Sequence, residues 1–204
     1  MSCHTVLLAL HLIGLAFGIG ASTILDLRTV RLLYGRPVTE QDLAFAGALS
    51  AFVRIGLVLL VISGLGLLLR LWLTDPDLLA NPKLHAKLTI VAMLTLNGCL
   101  IEAIALPLLR RQYGRPLFDG VSYRTQVAVL AMGVVSATSW YLPFLLGIAR
   151  ELNFGPSALT ILTAYLGLVG MGVVVALAWR CVLYRPGGRS PRHSAARLTP
   201  TPPE

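Results

Sequence analysis

Long apolar runs separated by short polar breaks make up most of this chain. Five runs are long enough to cross a bilayer, because a membrane-spanning helix needs about 20 apolar residues. Glycine, proline, asparagine and aspartate, which end helices and start turns, fill the breaks. The pattern predicts an all-α polytopic membrane bundle over residues 1–184. Its five transmembrane helices are expected at residues 4–33, 42–73, 83–109, 125–149 and 157–183.

The composition supports a membrane protein. Hydrophobic residues make up 56% of the 204 residues and charged residues 13%, whereas a soluble domain carries about 25% charged residues. So few charges could not cover a water-facing surface, which excludes a soluble enzyme, a disordered protein and a disulfide-stapled secreted module. The net charge is +8, but the basic residues form short clusters between apolar runs. We therefore expect the lipid bilayer, and no nucleic acid, as a partner.

Basic residues are divided unequally between the two sides of the predicted bundle. One side has four: Arg70, Lys83, Lys87 and Arg150. The other has twelve: Arg28, Arg31, Arg36, Arg110, Arg111, Arg115, Arg124, Arg180, Arg185, Arg189, Arg192 and Arg197. Because cytoplasmic loops carry the excess of lysine and arginine, the N-terminus is predicted outside and the C-terminus in the cytoplasm.

The two ends of the chain have different predicted roles. No lysine or arginine precedes the first apolar run, so we interpret that run as an uncleaved helix rather than a secretory signal. Residues 185–204 are rich in proline, serine and arginine and are predicted to form a disordered, basic cytoplasmic tail. These features together predict a multi-pass protein of a bacterial inner membrane.

Asp26, Arg54 and Glu102 interrupt the first three predicted spans. At 1.5 Å per residue, Asp26 and Glu102 lie roughly 10 Å from the cytoplasmic ends of their helices. Arg54 starts roughly 18 Å from that end, and its long side chain reaches back toward the same level. We expect a buried ion network that locks the three helices together. The functional alternative is a proton or substrate relay.

His11 lies in the outer half of the first span, with Gly14 and Gly18 on the same helical face. One interpretation is a small-residue packing face with a hydrogen-bonded histidine. The other is an axial haem ligand, with glycines that let a flat porphyrin approach the backbone. Trp140, in the fourth span, is expected either in an interfacial aromatic belt or in the wall of a haem or quinone pocket.

His85 and Lys87 lie at the start of the third span, in the same leaflet as His11. A lysine in the first turn of a helix is unfavourably placed relative to the helix dipole. Lys87 is therefore expected to reach water, a haem propionate or a substrate carboxylate. A separate metal site is possible at the outer surface, because sulfur and imidazole together suit Cu(I) or Zn(II). Its candidate ligands are Cys3, His4 and His85.

Two short motifs carry a family resemblance: Leu10-His11-Leu12-Ile13 in the first span and Leu84-His85-Ala86-Lys87-Leu88 at the start of the third. They resemble the HemJ-type protoporphyrinogen oxidases and the wider group of small bundles related to copper resistance protein D. The resemblance covers the first half of the chain. It implies haem b, His11 as the iron ligand and Lys87 as the catalytic residue. Glycines replace the family's aromatic stretch after the first histidine.

These observations favour an integral membrane b-type haem protein with an electron-transfer or oxidoreductase role. In that interpretation Gly14, Gly18, Lys87 and Trp140 surround the haem, and a quinone or another redox partner exchanges electrons with it. Two alternatives stay open. The protein either handles copper at its outer face, or it is a non-catalytic accessory subunit of a larger membrane complex or homo-oligomer.

Overall fold

The computed structural model describes residues 2–183 of the chain. Within these residues it is helical and has no strand longer than an isolated bridge, and five helices are long and apolar enough to span a membrane. The predicted all-α class with five candidate membrane-spanning helices is thus confirmed. The predicted tail, residues 185–204, lies outside the described residues. The helices are α1 Cys3–Leu32, α2 Glu40–Thr74, α3 Pro82–Arg111, α4 Tyr123–Ile148 and α5 Ala158–Leu183.

Polar side chains cap the first four helices at their N-termini. In each case a side-chain oxygen accepts a hydrogen bond from a backbone N–H in the first helical turn, which would otherwise lack a partner. At α2 the cap is reciprocal, because the Asp42 carboxylate also accepts from the cap residue's backbone N–H. Local chemistry therefore explains where these helices begin. The capping residues are Ser2, Thr39, Asn81 and Ser122.

Helices α1 and α2 pack backbone to backbone through glycines. A Cβ atom added to Gly56 would lie 2.7 Å from the carbonyl oxygen of Gly14 and 2.7 Å from the amide nitrogen of Gly18. A Cβ atom on Gly14 would lie 2.8 Å from the Gly56 oxygen. Such close approach is possible only for small residues, and it is a main source of helix association in lipid. The glycines of α1 therefore form a packing face.

Helix α4 lies at the centre of the bundle and packs against α1, α3 and α5. Its Trp140 side chain is 1% exposed and packs with Leu60 and Leu94. Trp140 therefore does not belong to an interfacial aromatic belt. On the α5 side, Ser139 shares a hydrogen bond of 3.0 Å with the Tyr165 hydroxyl.

The α1–α2 and α3–α4 loops meet at one end of the bundle. The Val38 amide donates to the Arg115 carbonyl, and the Gly114 amide donates to the Val38 carbonyl, both at 2.9 Å. In the same region the buried Asp42 carboxylate binds Arg28 at 3.1 Å and Arg36 at 2.8 Å. Two of the basic residues that predict the orientation are therefore paired with an acid.

Helix α3 contains a π-helical turn at Ile101–Ala105. The Leu106 amide donates to the Ile101 carbonyl, five residues back instead of four. Pro107 follows directly, and because proline has no N–H, an α-helical hydrogen bond is already missing there. The wider turn accommodates the proline and carries Glu102 on the wall of the bundle's interior.

Replacing Gly56 with alanine should loosen the α1–α2 contact. We expect Gly56→Ala to lower the free energy of unfolding by roughly 1–3 kcal/mol, because the added methyl meets backbone atoms that cannot move aside. Gly47→Ala in the same helix is the matched control, since nothing lies within 4 Å of a Cβ added there. Unfolding in detergent measures both. Equal losses would contradict the importance of the close approach.

Candidate intramembrane binding site

A cavity of about 160 Å³ lies among α1, α2, α3 and α4, toward the end of the bundle that holds the α1–α2 loop. Its wall combines apolar side chains with polar groups from all four helices. Polar groups inside a membrane bundle are costly, so their convergence on one cavity indicates a function. The principal polar residues of the wall are Asp26, Ser50, Arg54, Asn97, Glu102 and Trp140.

The three ionisable residues predicted to form a network all reach this cavity, but they do not form one three-membered network. Arg54 Nη1 donates to Glu102 Oε1 at 2.5 Å. The Asp26 carboxyl lines the cavity without an ion pair to any group in residues 2–183. The structure thus leaves one intramembrane carboxyl group facing open space.

Two further polar groups of the wall are unpaired. The Ser50 hydroxyl and the Trp140 indole N–H are buried and have no hydrogen-bonding partner among the described protein groups. Their residues are 7% and 1% exposed. Buried polar groups are almost always hydrogen-bonded, so these two unpaired groups need an explanation. Both residues belong to the cavity wall, but the hydroxyl and the indole N–H themselves are buried behind that wall.

The arrangement defines what the cavity is able to bind. Asp26 offers a carboxyl group without an ion-pair partner. Apolar side chains such as Leu57 and Leu94 form much of the remaining wall. This set is complementary to a small molecule with a cationic nitrogen and an apolar part.

His11 lies in the other half of the bundle, in contact with α2. Its Nδ1 is 3.0 Å from Ser63 Oγ, and that hydroxyl donates its proton to the Leu59 carbonyl at 2.5 Å. Nδ1 is therefore the donor toward Ser63, and Nε2 of the neutral ring keeps its lone pair. Lys87 is near enough to interact electrostatically with the imidazole. The hydrogen-bonded histidine of the packing interpretation is present.

The residues of the predicted haem site do not fit a porphyrin in this arrangement. Gly14 and Gly18 contact the backbone of α2, and a Cβ atom on Gly18 would lie 2.0 Å from Cη2 of Trp140. The face expected to admit a flat ring is thus covered by Gly56 and by an indole. Since these contacts would have to separate first, haem binding stays a prediction.

The two lysines of α3 have different environments. Lys83 is 4% exposed, and its ammonium donates to the Ala149 carbonyl and to Asn153 Oδ1, the latter at 3.0 Å. It therefore ties the start of α3 to the α4–α5 loop, a role that the sequence analysis missed. Lys87 is half-buried, and a Cβ atom on Gly147 would lie 3.9 Å from its Nζ. Its predicted catalytic role stays a prediction.

The predicted outer metal ligands do not form a cluster. Cys3 is exposed at the start of α1. His85 donates from Nε2 to the Leu79 carbonyl at 2.7 Å, which occupies one of its two ring nitrogens. Across residues 2–183, no three histidine, cysteine, aspartate or glutamate side chains, His4 included, are grouped to hold a metal ion. The geometry gives the copper hypothesis no support.

Comparison of the chain with protein-family models, with curated proteins and with solved structures gave no match. The interpretation of the site therefore rests on its geometry.

Removing the negative charge of each carboxyl group of the cavity should affect stability differently. Glu102→Gln leaves Arg54 without its anion, so we expect the free energy of unfolding to fall by roughly 1–3 kcal/mol. Asp26→Asn removes a carboxyl with no cationic partner and should not lower it. Unfolding of both variants in the same detergent provides the measurement. A larger loss for Asp26→Asn would contradict the assignment of the ion pair to Glu102.

Proposed function

We propose that the protein is a multi-pass membrane protein that binds a small molecule with a cationic nitrogen in the cavity among α1–α4. The observation that carries this proposal is the Asp26 carboxyl, which faces the cavity without an ion-pair partner in the described part of the chain. Ser50 and Trp140 belong to the wall of the same cavity, with the Ser50 hydroxyl and the Trp140 indole N–H buried behind it. A carboxyl group that faces an intramembrane cavity without an ion-pair partner favours a ligand over a purely structural role.

Electrostatics favour a cationic ligand over a neutral one. A carboxylate removed from water loses its hydration, and a neutral molecule compensates for only part of that loss. A cation beside Asp26 restores a full charge pair in a medium of low dielectric constant, where the attraction is stronger than in water. The cavity has a volume of about 160 Å³, which is enough for a small amine.

The orientation of the bundle completes this proposal. The excess of basic residues at the end with the α1–α2 and α3–α4 loops supports a cytoplasmic location for that end. The cavity then lies in the cytoplasmic half of a bacterial inner membrane, and His11 lies in the outer half.

Small amines should stabilise the protein through Asp26. We expect butylammonium to raise the melting temperature of the detergent-purified protein saturably, whereas 1-butanol does not. Bound ligand contributes about 2.7 kcal/mol at one hundred times its Kd. The shift should persist in Asp26→Glu and disappear in Asp26→Asn. Asp77→Asn, which changes an exposed aspartate outside the cavity, is the control. An unchanged shift in Asp26→Asn would refute the proposal.

One observation favours a second candidate function, haem-dependent electron transfer at His11. The Nδ1 hydrogen bond to Ser63 directs the lone pair of the neutral ring to Nε2. Metal-binding histidines are characteristically held in this way by a hydrogen bond from the second ring nitrogen. A bound haem b would supply a one-electron redox centre, and α1 and α2 would have to separate beside Gly14 to admit it.

A visible spectrum tests the haem candidate. Protein purified from haem-supplemented cells should show a Soret band and, after dithionite reduction, an α-band. Both bands should disappear in His11→Ala and persist in His85→Ala, because His85 is exposed and Nε2 of its ring is engaged with the Leu79 carbonyl. Colourless wild-type protein from such cells would remove this candidate and leave the amine site untouched.

A further inference from the structure

The two helices α2 and α3 face each other along a line that we call the seam, and their backbones are not in close contact there. Helix α2 packs closely on α1, and α3 packs on α4 and α5, but the backbones of α2 and α3 hardly approach each other. Two openings follow this seam. The polar cavity with Asp26 lies in one half. An apolar groove of about 470 Å³ lies in the other, with walls that include Leu65, Trp72 and Leu88.

An ion pair crosses the seam beside the polar cavity. Arg54 extends from α2 and Glu102 from the π-helical turn of α3. The side chains are 58% and 38% exposed, although both residues lie well inside membrane-spanning helices. The surface at this depth faces lipid, so the pair is located at the boundary between the cavity and the acyl chains. It is the one ion pair between α2 and α3 within residues 2–183.

The cavity reaches the outer surface of the bundle next to this pair. Thr95 and Cys99 belong to its wall, and both residues are exposed. Cys99 lies three residues before Glu102 on α3. A residue that lines a cavity and is also exposed marks an opening, and here the opening faces the side of the bundle rather than its end.

We propose that the ligand enters the cavity laterally from the membrane, between α2 and α3, and that the Arg54–Glu102 pair is the gate. This inference rests on the proposed amine site and specifies its ligand as a membrane-soluble, amphipathic amine. Breaking an ion pair in an apolar medium is costly when the charges are left alone. An entering ammonium group lowers that cost, because it pairs with Glu102 while Arg54 moves aside and then continues to Asp26.

The apolar groove fits the same ligand class. Its wall is almost entirely leucine and tryptophan side chains, with His85 at its edge. An alkyl chain that follows an ammonium group through the seam remains in contact with apolar surface along its length. A hydrophilic amine without such a chain gains nothing from this surface and has a low concentration in the bilayer.

Trp140 provides a direct reporter of entry. The chain has three tryptophans, so Trp72→Phe with Trp179→Phe leaves Trp140 alone. Because Trp140 belongs to the cavity wall, a ligand bound there changes the surroundings of the indole and shifts its emission. Stopped-flow mixing of liposomes containing this variant with butylamine, hexylamine or octylamine gives the rate of entry, with the matching alcohols as controls.

Lateral entry predicts two results. At equal aqueous concentration the association rate should rise roughly fourfold for each added methylene, in parallel with partition into the bilayer. Cys99→Phe, which narrows the opening, should slow association about tenfold. Cys181→Phe, which changes an exposed cysteine near the end of α5, is the matched control and should leave the association rate unchanged.

The outcomes distinguish a failure of the lateral-entry proposal from a failure of the proposed amine site. A saturable shift of Trp140 emission whose rate is independent of chain length and of Cys99→Phe would overturn lateral entry and leave the amine site in place. If none of the three amines shifts the emission, the proposed amine site fails and the gate fails with it.

Discussion

The contact of Gly14 and Gly18 with Gly56 determines where the other functional groups of this bundle lie. In lipid, apolar side chains gain little by leaving their surroundings, so helices associate where their backbones approach most closely. The three glycines bring α1 and α2 into direct backbone contact. Trp140 then packs on Gly18, which brings α4 to the centre of the bundle. The cavity with Asp26 is the space that remains on one side of this tryptophan.

The same tight contact explains why α2 and α3 are only loosely joined. Helix α2 packs mainly on α1, whereas α3 packs on α4 and α5 and contains a π-helical turn just before Pro107. Polar groups along α2 and α3 therefore cannot all be satisfied by helix packing. Arg54 and Glu102 satisfy each other across the gap. The unpaired groups lie behind them, at the place where packing is least complete.

Much of this arrangement could be predicted from the sequence, because it follows from the lengths of the apolar runs and from residue positions along them. Length of the apolar runs locates five helices, and counting residues from the helix ends brings Asp26, Arg54 and Glu102 to one level. Which side chains contact each other could not be predicted in this way. Which acid Arg54 binds depends on helix rotation, and the environment of Trp140 depends on a glycine 122 residues earlier in the chain. Lys83 binds a backbone carbonyl, which any residue offers and no sequence pattern marks.

The position of Trp140 favours the proposed lateral route to the cavity. Gly18, on which its ring packs, lies seven residues after His11 and eight before Asp26. Along α1 this places the indole roughly 10 Å from the first and roughly 12 Å from the second. A fully buried aromatic ring thus lies between the levels of His11 and Asp26 along α1 and obstructs a direct route between them inside the bundle. With that route obstructed, a molecule that reaches Asp26 from the half of the bundle that holds His11 has to pass beside the helices. The seam between α2 and α3 is where the structure provides such a path.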